Sequence, residues 1–216
     1  MKTTLLIAWL ALVQHDGQQH HNPQHSFENT DRWVEEFENA ERDAQQKPDE
    51  VVRVLDLSPG DVVADIGAGT GYFTRRFAKA VGDNGIAYAV DLEPNMLKYV
   101  AERAEKDGQP NIVPVLATSS SPMLAPNSVD LFFVCNTIHH IGARNEYYEI
   151  LARDLRPSGR FAIVDFYKDA ELTEGPSKAM RIAKQSLIDE VTAAGFRLVE
   201  DHDFLPVQYF LVFEAP

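Results

Sequence analysis

VVADIGAGTGYFTRRFA, Val62–Ala78, sets an apolar run against three alternate glycines and then changes into a helical pattern. Val62–Ile66 reads as a strand, and from Tyr72 to Val81 the spacing predicts a helix. A strand that ends in glycines and resumes as a helix brings bare backbone to the carboxyl edge of a parallel sheet. In open α/β folds, ligands bind at that edge. Asp65 stands two residues ahead of Gly67, with Gly69 and Gly71 following.

Phosphate-binding loops are the first test of this stretch. A dinucleotide site uses G-x-G-x-x-G, so that a pyrophosphate rests on the helix N-terminus. Gly67 and Gly69 fit, but Tyr72 occupies the last position, where Gly or Ala permits close helix–strand packing. No Gly-Lys-Ser/Thr follows, so a Walker loop is absent as well. Both phosphate readings lose.

Downstream, strands and helices alternate. IAYAVD (86–91), IVPVLA (112–117), VDLFFVCN (129–136) and RFAIVDF (160–166) read as strands. Pro94 opens a helix whose apolar face is Met96, Leu97, Val100, Ala101 and Ala104, and Gly108 ends it. Further helices are predicted near 143–155 and 184–194. The last stretch reads as two strands, about 196–202 and 207–214, joined by a short connection. Continuously apolar strands between helices indicate a parallel sheet covered on both faces. The expected fold is α/β: a doubly wound, seven-stranded mixed sheet, mostly parallel, with a C-terminal antiparallel hairpin. Upstream, residues 31–57 read as helical, with Trp33, Phe37 and Ala40 on one face, Pro48 interrupting, and a second short helix over 49–57.

Composition narrows the class. With 216 residues, 44% hydrophobic and 25% charged, the chain is that of an ordinary globular domain. The net charge of −13, spread along the chain, disfavours nucleic acid as a partner, because no basic stripe stands out. One cysteine, Cys135, excludes an internal disulfide and a cysteine-based zinc cluster. It reads as a small buried hydrophobe within FFVCN.

The first 26 residues are set apart. MKTTLLIAWLALV carries one positive charge and then nine apolar residues, Leu5–Val13, like a short secretory signal. It is too short to span a bilayer and lacks an A-x-A cleavage site. Export to a bacterial periplasm or the extracellular space is one expectation, a cytoplasmic location the alternative. A polar stretch with His15, His20, His21 and His25 follows and reads as a linker rather than a metal site. The expected division is a signal-like segment and tail over 1–26, pocket-covering helices over 27–57, and the main domain over 58–216.

Taken together, these features resemble the class I S-adenosylmethionine-dependent methyltransferases, over roughly residues 48–216. DIGAGTG (65–71) matches the family's acid-x-Gly-x-Gly-x-Gly motif, and AVD (89–91) its acid at the end of the second strand. LRPSGR (155–160) matches the turn before the fifth strand, and the terminal hairpin its sheet ending. The resemblance implies a Rossmann-like methyltransferase fold with S-adenosyl-L-methionine as cofactor. It implies that Asp65 helps hold the donor's amino-acid end and that Gly67, Ala68, Gly69 and Gly71 approach it with backbone. Asp91 would accept the two ribose hydroxyls, and Leu92 and Met96 would flank the adenine. Asn136 joins this set at the end of the fourth strand. Many relatives carry an acid after the third strand; LATSSSPML offers Thr118 in its place.

Methyl transfer from a sulfonium is an in-line displacement, for which a protein supplies positioning, a dry site and, where needed, a base. His139 and His140, beyond the fourth strand, are candidates for that base. Asp165, ending the fifth strand, is a third catalytic candidate. Tyr72, Arg181 and Tyr209 are candidates for substrate binding, and no metal site is expected. A small molecule is the default acceptor, without stable membrane insertion and with oligomeric state open. Arsenite is disfavoured by the single thiol. GTGYFT also resembles protein isoaspartyl methyltransferases, over those residues alone. The alternative is a catalytically degenerate or exported binding module on the same fold.

Overall fold

The computed structural model describes residues 30–172 and 175–216. The signal-like segment and histidine-rich tail assigned to 1–26 lie outside them. Seven strands form one sheet: β1 (Val62–Ile66), β2 (Ile86–Asp91), β3 (Ile112–Leu116), β4 (Val129–Cys135), β5 (Leu155–Phe166), β6 (Arg197–His202) and β7 (Gln208–Glu214). Their order is β3-β2-β1-β4-β5-β7-β6. The first five run parallel, while β7 is antiparallel to both β5 and β6. The doubly wound mixed sheet expected from the sequence is the fold observed.

Alternation along the strands divides the core into two layers. Val63, Leu131, Phe133, Ala162 and Val164 face one side, under helices α3 (Pro48–Val54), α4 (Thr74–Val81) and α5 (Pro94–Lys106). Ala64, Ile66, Phe132, Val134 and Ile163 face the other, under α6 (Arg144–Asp154) and α7 (Lys184–Ala193). No helix stands between β3 and β4 among the described residues, so one of the five expected strand–helix units is only a loop.

Several boundaries differ from the sequence reading, each for a local reason. The first helical stretch breaks into α1 (Thr30–Phe37) and α2 (Ala40–Gln46). Asn39, in extended conformation, caps α2 by accepting the Arg42 N–H at 2.8 Å. Lys47, left-handed at φ 42°, closes α2, and Pro48 opens α3. α4 begins at Thr74 rather than Tyr72, because turns occupy the residues after Gly69. β5 starts at Leu155, which pairs with Val129 before a bulge, so the LRPSGR turn lies within the strand. Residues Ile138–His140, expected as extended loop, form a 3-10 turn.

Candidate active site

The glycine loop is held in place by the strand beside it. Gly67 and Ala68 both donate to the Val90 carbonyl, at 2.8 and 3.2 Å. Gly67, Gly69 and Gly71 have φ of 72°, 53° and 75°, which L side chains rarely adopt. The space beside two of them is taken by protein rather than left for a ligand. A Cβ on Gly67 would lie 2.2 Å from Thr137 Oγ1, and one on Gly71 3.2 Å from Val100. At these two positions protein packing by itself requires the missing side chain. Gly69 faces the Phe37 ring, 3.5 Å from its would-be Cβ.

Two carboxylates organise the loop. Asp65 is buried on β1 and accepts the Thr74 hydroxyl at 2.6 Å. Burial raises its pKa to about 7, opposed by the Thr74 hydrogen bond and the Arg42 charge. Asp91, at the end of β2, accepts the Gly69 N–H on Oδ2 at 2.7 Å and the Glu93 N–H on Oδ1 at 3.0 Å. Burial raises its pKa too, against those backbone hydrogen bonds. Each oxygen retains a second lone pair, so both can still accept a hydroxyl.

α1 and α2 fold over this loop. Tyr72 is buried, donates its hydroxyl to Asp43 and lies between two guanidiniums, Arg42 at 4.0 Å and Arg76 at 4.3 Å from its centroid. Glu38 pairs with Arg75 at 2.8 Å, and Arg75 also donates to the Thr70 carbonyl. Gln46, on α2, donates to the Cys135 thiol at 3.4 Å. α1 and α2, expected as pocket-covering helices, pack against the glycine loop through these contacts. Arg42, Gln46 and Glu38 carry no sequence signal of their own; the packing of α2 and of its connection to α1 brings them here.

A second cluster forms on the opposite face at the same edge. His139 Nδ1 lies 3.0 and 2.9 Å from the two Asp165 oxygens, and both side chains are almost wholly buried. Asp165 Oδ1 also accepts the Phe166 N–H at 2.8 Å. The His140 ring contacts that of His139, centroids 4.3 Å apart. Tyr209, directly across β7 from Asp165, is buried, and burial raises its phenol pKa. Nearby, Gln208 donates to Asn136 Oδ1, and the other Gln208 amide atom, Oε1, is buried without a partner. Asn136 holds φ 55° at the end of β4.

The remaining predicted residues separate. Leu92 is exposed and Met96 fully buried. Thr118 is exposed, with its hydroxyl 3.4 Å from that of Ser120. Arg181 is buried and donates to the Pro176 and Ala170 carbonyls at 2.9 and 2.5 Å, tying together the segment after β5. Among the described residues, no group of three or more His, Cys, Asp or Glu could hold a metal ion. No helix among them is long and apolar enough to cross a membrane.

Comparison with known proteins follows this geometry. A family model described as a methyltransferase domain matches residues 57–200. The chain belongs to this methyltransferase family. Its fold is that of the class I enzymes, and the family uses S-adenosylmethionine. A structure titled a SAM-dependent methyltransferase from Aquifex aeolicus superposes with a TM-score of 0.80 at 24% identity, covering 86% of this chain and 98% of that one. The phosphoethanolamine N-methyltransferase 2 of Haemonchus contortus, in complex with S-adenosyl-L-methionine, gives a TM-score of 0.66 at 16% identity, covering 79% and 52%. The ubiquinone/menaquinone biosynthesis C-methyltransferase UbiE of Hydrogenovibrio crunogenus is 27% identical over 118 residues, 54% of this chain and 46% of its own length. An arsenite methyltransferase of Halobacterium salinarum is 28% identical over 153 residues, 67% and 39%. The chain spans less than half the length of these two curated relatives.

The site fits the family's cofactor. It holds two carboxylates, one with acceptor capacity to spare, a left-handed glycine loop and a buried, unpartnered Thr70 hydroxyl within that loop. No lysine is present there to favour a phosphate.

Proposed function

We propose that the chain transfers a methyl group from S-adenosylmethionine to a small organic acceptor, with His139 as general base. The donor supplies an electrophilic methyl on a sulfonium. Asp91 would hold its ribose hydroxyls and Asp65 its amino-acid end, while Ala68 and the glycines approach with backbone. The buried His139–Asp165 pair is the observation that carries the catalytic reading. A carboxylate only accepts, so Nδ1 donates to Asp165 and the lone pair lies on Nε2. An acceptor hydroxyl, thiol or ammonium can pass its proton there as the new bond forms. Asp165 is a positioning residue: it fixes the ring and the tautomer. This pair favours catalysis over a binding-only role on the same fold, and the single thiol disfavours arsenite as acceptor.

Calorimetric titration with S-adenosylmethionine and S-adenosylhomocysteine, followed by a methyl-transfer screen over amines, phenols, thiols and carboxylates, tests this reading. The wild type is expected to bind both nucleosides and to methylate one acceptor class. His139→Ala should keep the binding and lose about a hundredfold or more in turnover. A wild type that binds neither nucleoside, or a variant that turns over normally, overturns the proposal.

A further inference from the structure

Gln208 is a buried amide with one end unanswered. Its Nε2 donates to Asn136 Oδ1, while Oε1 is buried and has no hydrogen-bond partner among the described residues. Gln46, the buried amide beside Cys135, uses both ends: Oε1 accepts from Arg42 at 2.7 Å and Nε2 donates to the thiol at 3.4 Å. A buried carbonyl left unpaired costs stability, and folded proteins pair nearly all of them. Glu38 Oε1 and Thr70 Oγ1 also lack partners, but they belong to the glycine loop and its cover. The orphan atoms of Tyr148 and Asp154 belong to α6. The Gln208 carbonyl is accounted for by neither.

Its place is the carboxyl edge of the parallel strands, where open α/β sheets bind ligands. Gln208 opens β7 opposite Phe166, the last residue of β5, and Asn136 follows the last residue of β4. β5 stands between β4 and β7, so the two side chains meet across its end. Gln208 alternates with Phe210 along β7 and so shares the face of Cys135, on which α2 is seated through Gln46. Lys47, between α2 and α3, donates to the Phe204 carbonyl in the β6–β7 connection at 2.8 Å and fastens the cover on that side. The next residue of β7, Tyr209, stands opposite Asp165, the partner of His139. The proposed base and the orphan carbonyl therefore flank the same end of β5 from its two faces.

We infer that Gln208 selects the methyl acceptor: its Oε1 takes a hydrogen bond from an O–H or N–H of the acceptor other than the one that loses its proton. This rests on the proposed reading of the site, with His139 as base. The acceptor class that follows is a small molecule with two donors, a nucleophilic hydroxyl, thiol or amine and a second hydroxyl or amino group beside it. The nucleophile gives its proton to His139 Nε2, while the second group keeps its own and satisfies the carbonyl. An acceptor that lacks the second group leaves the carbonyl unpaired, and that penalty is what discriminates. Asn136 holds the other end of the amide, so the carbonyl is oriented before the acceptor arrives.

The experiment compares acceptors that share a nucleophile and differ by one neighbouring hydroxyl: phenol and catechol, propylamine and 2-aminoethanol, propanethiol and 2-mercaptoethanol. In at least one pair the wild type should favour the hydroxyl-bearing member by about tenfold to a hundredfold in kcat/KM, the range for a buried polar group left unpaired. Gln208→Met, equal in length but unable to accept, should erase that preference and leave S-adenosylhomocysteine affinity within about twofold. Gln208→Glu keeps an oxygen at the same place and should keep the preference. A wild type without preference in any pair overturns the inference whatever the variants do. An equal fall for both members in Gln208→Met, or loss of the preference in Gln208→Glu, overturns it too, by making the residue structural or its free end a donor. A wild type that binds S-adenosylhomocysteine yet methylates no member of any pair overturns the inference and leaves the nucleoside site standing. One that does not bind S-adenosylhomocysteine overturns the reading of the site, and this inference with it.

Discussion

The Gly69 N–H donates to Asp91 Oδ2 at 2.7 Å, so the glycine loop after β1 is fastened to the acid that ends β2. The same carboxylate takes the Glu93 N–H at the start of α5. Asp91 is thus a structural clasp as well as a candidate ribose ligand. Asp91→Ala releases two backbone donors together. It should weaken S-adenosylhomocysteine by about tenfold or more and lower Tm of the ligand-free protein by about 4–8 °C. Calorimetry and a thermal melt read the two effects separately. Lost affinity with an unchanged melt would show that the backbone bonds contribute nothing to stability.

Asp65 couples stability to pH. Burial raises its carboxyl to about 7, while in the unfolded chain it ionises near the ordinary value of 3.8. Between these values the folded protein retains a proton that the unfolded chain has released, so stability falls as pH rises through that window and levels off above it. Asp65→Asn removes this dependence. Ligand-free D65N should therefore gain several degrees in Tm over the wild type at pH 8 and little at pH 4.5, while binding S-adenosylhomocysteine more weakly. Parallel melting profiles for the two proteins would contradict the assignment.

Gly67 is required by its neighbour. A Cβ there would lie 2.2 Å from Thr137 Oγ1 and 2.8 Å from Thr137 Cβ, and its backbone is left-handed besides. Gly67→Ala should destabilise by about 2 kcal/mol or more through overpacking and strain. In Gly67→Ala/Thr137→Gly the clash is gone and only the backbone penalty of about 1 kcal/mol should remain, beyond that of Thr137→Gly alone. Urea titration of the four proteins gives this coupling; strict additivity would remove the close contact as the cause.

Asp165→Asn tests the tautomer. The Phe166 N–H donates to Asp165 Oδ1, so an asparagine would turn its oxygen there and place its NH2 at the Oδ2 position, 2.9 Å from His139 Nδ1. Nδ1 would then accept, Nε2 would carry the proton, and the base would be lost. Turnover should fall about tenfold to a thousandfold with S-adenosylhomocysteine affinity unchanged. Equal falls in affinity and turnover would assign the pair a role in holding the donor instead.

What the sequence discloses and what it withholds follow the distance over which each contact forms. The strands, the glycine loop and Asp65 and Asp91 are read from contiguous patterns, because strand alternation and left-handed glycines are local properties. His139 and Asp165 are both read as candidates from their strand ends, but their pairing requires β4 and β5 to be neighbours. Arg42, Gln46 and Glu38 carry no local mark. Gln46 meets Cys135 across 89 residues, and only the break at Asn39 turns α2 so that it can. Leu92 and Met96, adjacent to the same motif, fall on opposite sides of the protein surface, one exposed and one buried.

The contact between Gln46 and Cys135 makes the molecule its own reporter. The chain has one cysteine, it is buried, and burial pushes its thiol up to about 12, so a thiol reagent finds neither access nor thiolate while α2 is seated. Labelling is expected to quicken when α2 is displaced from that sulfur. The rate at which a single sulfur is modified is therefore a readout of the seating of α2, without any engineered probe.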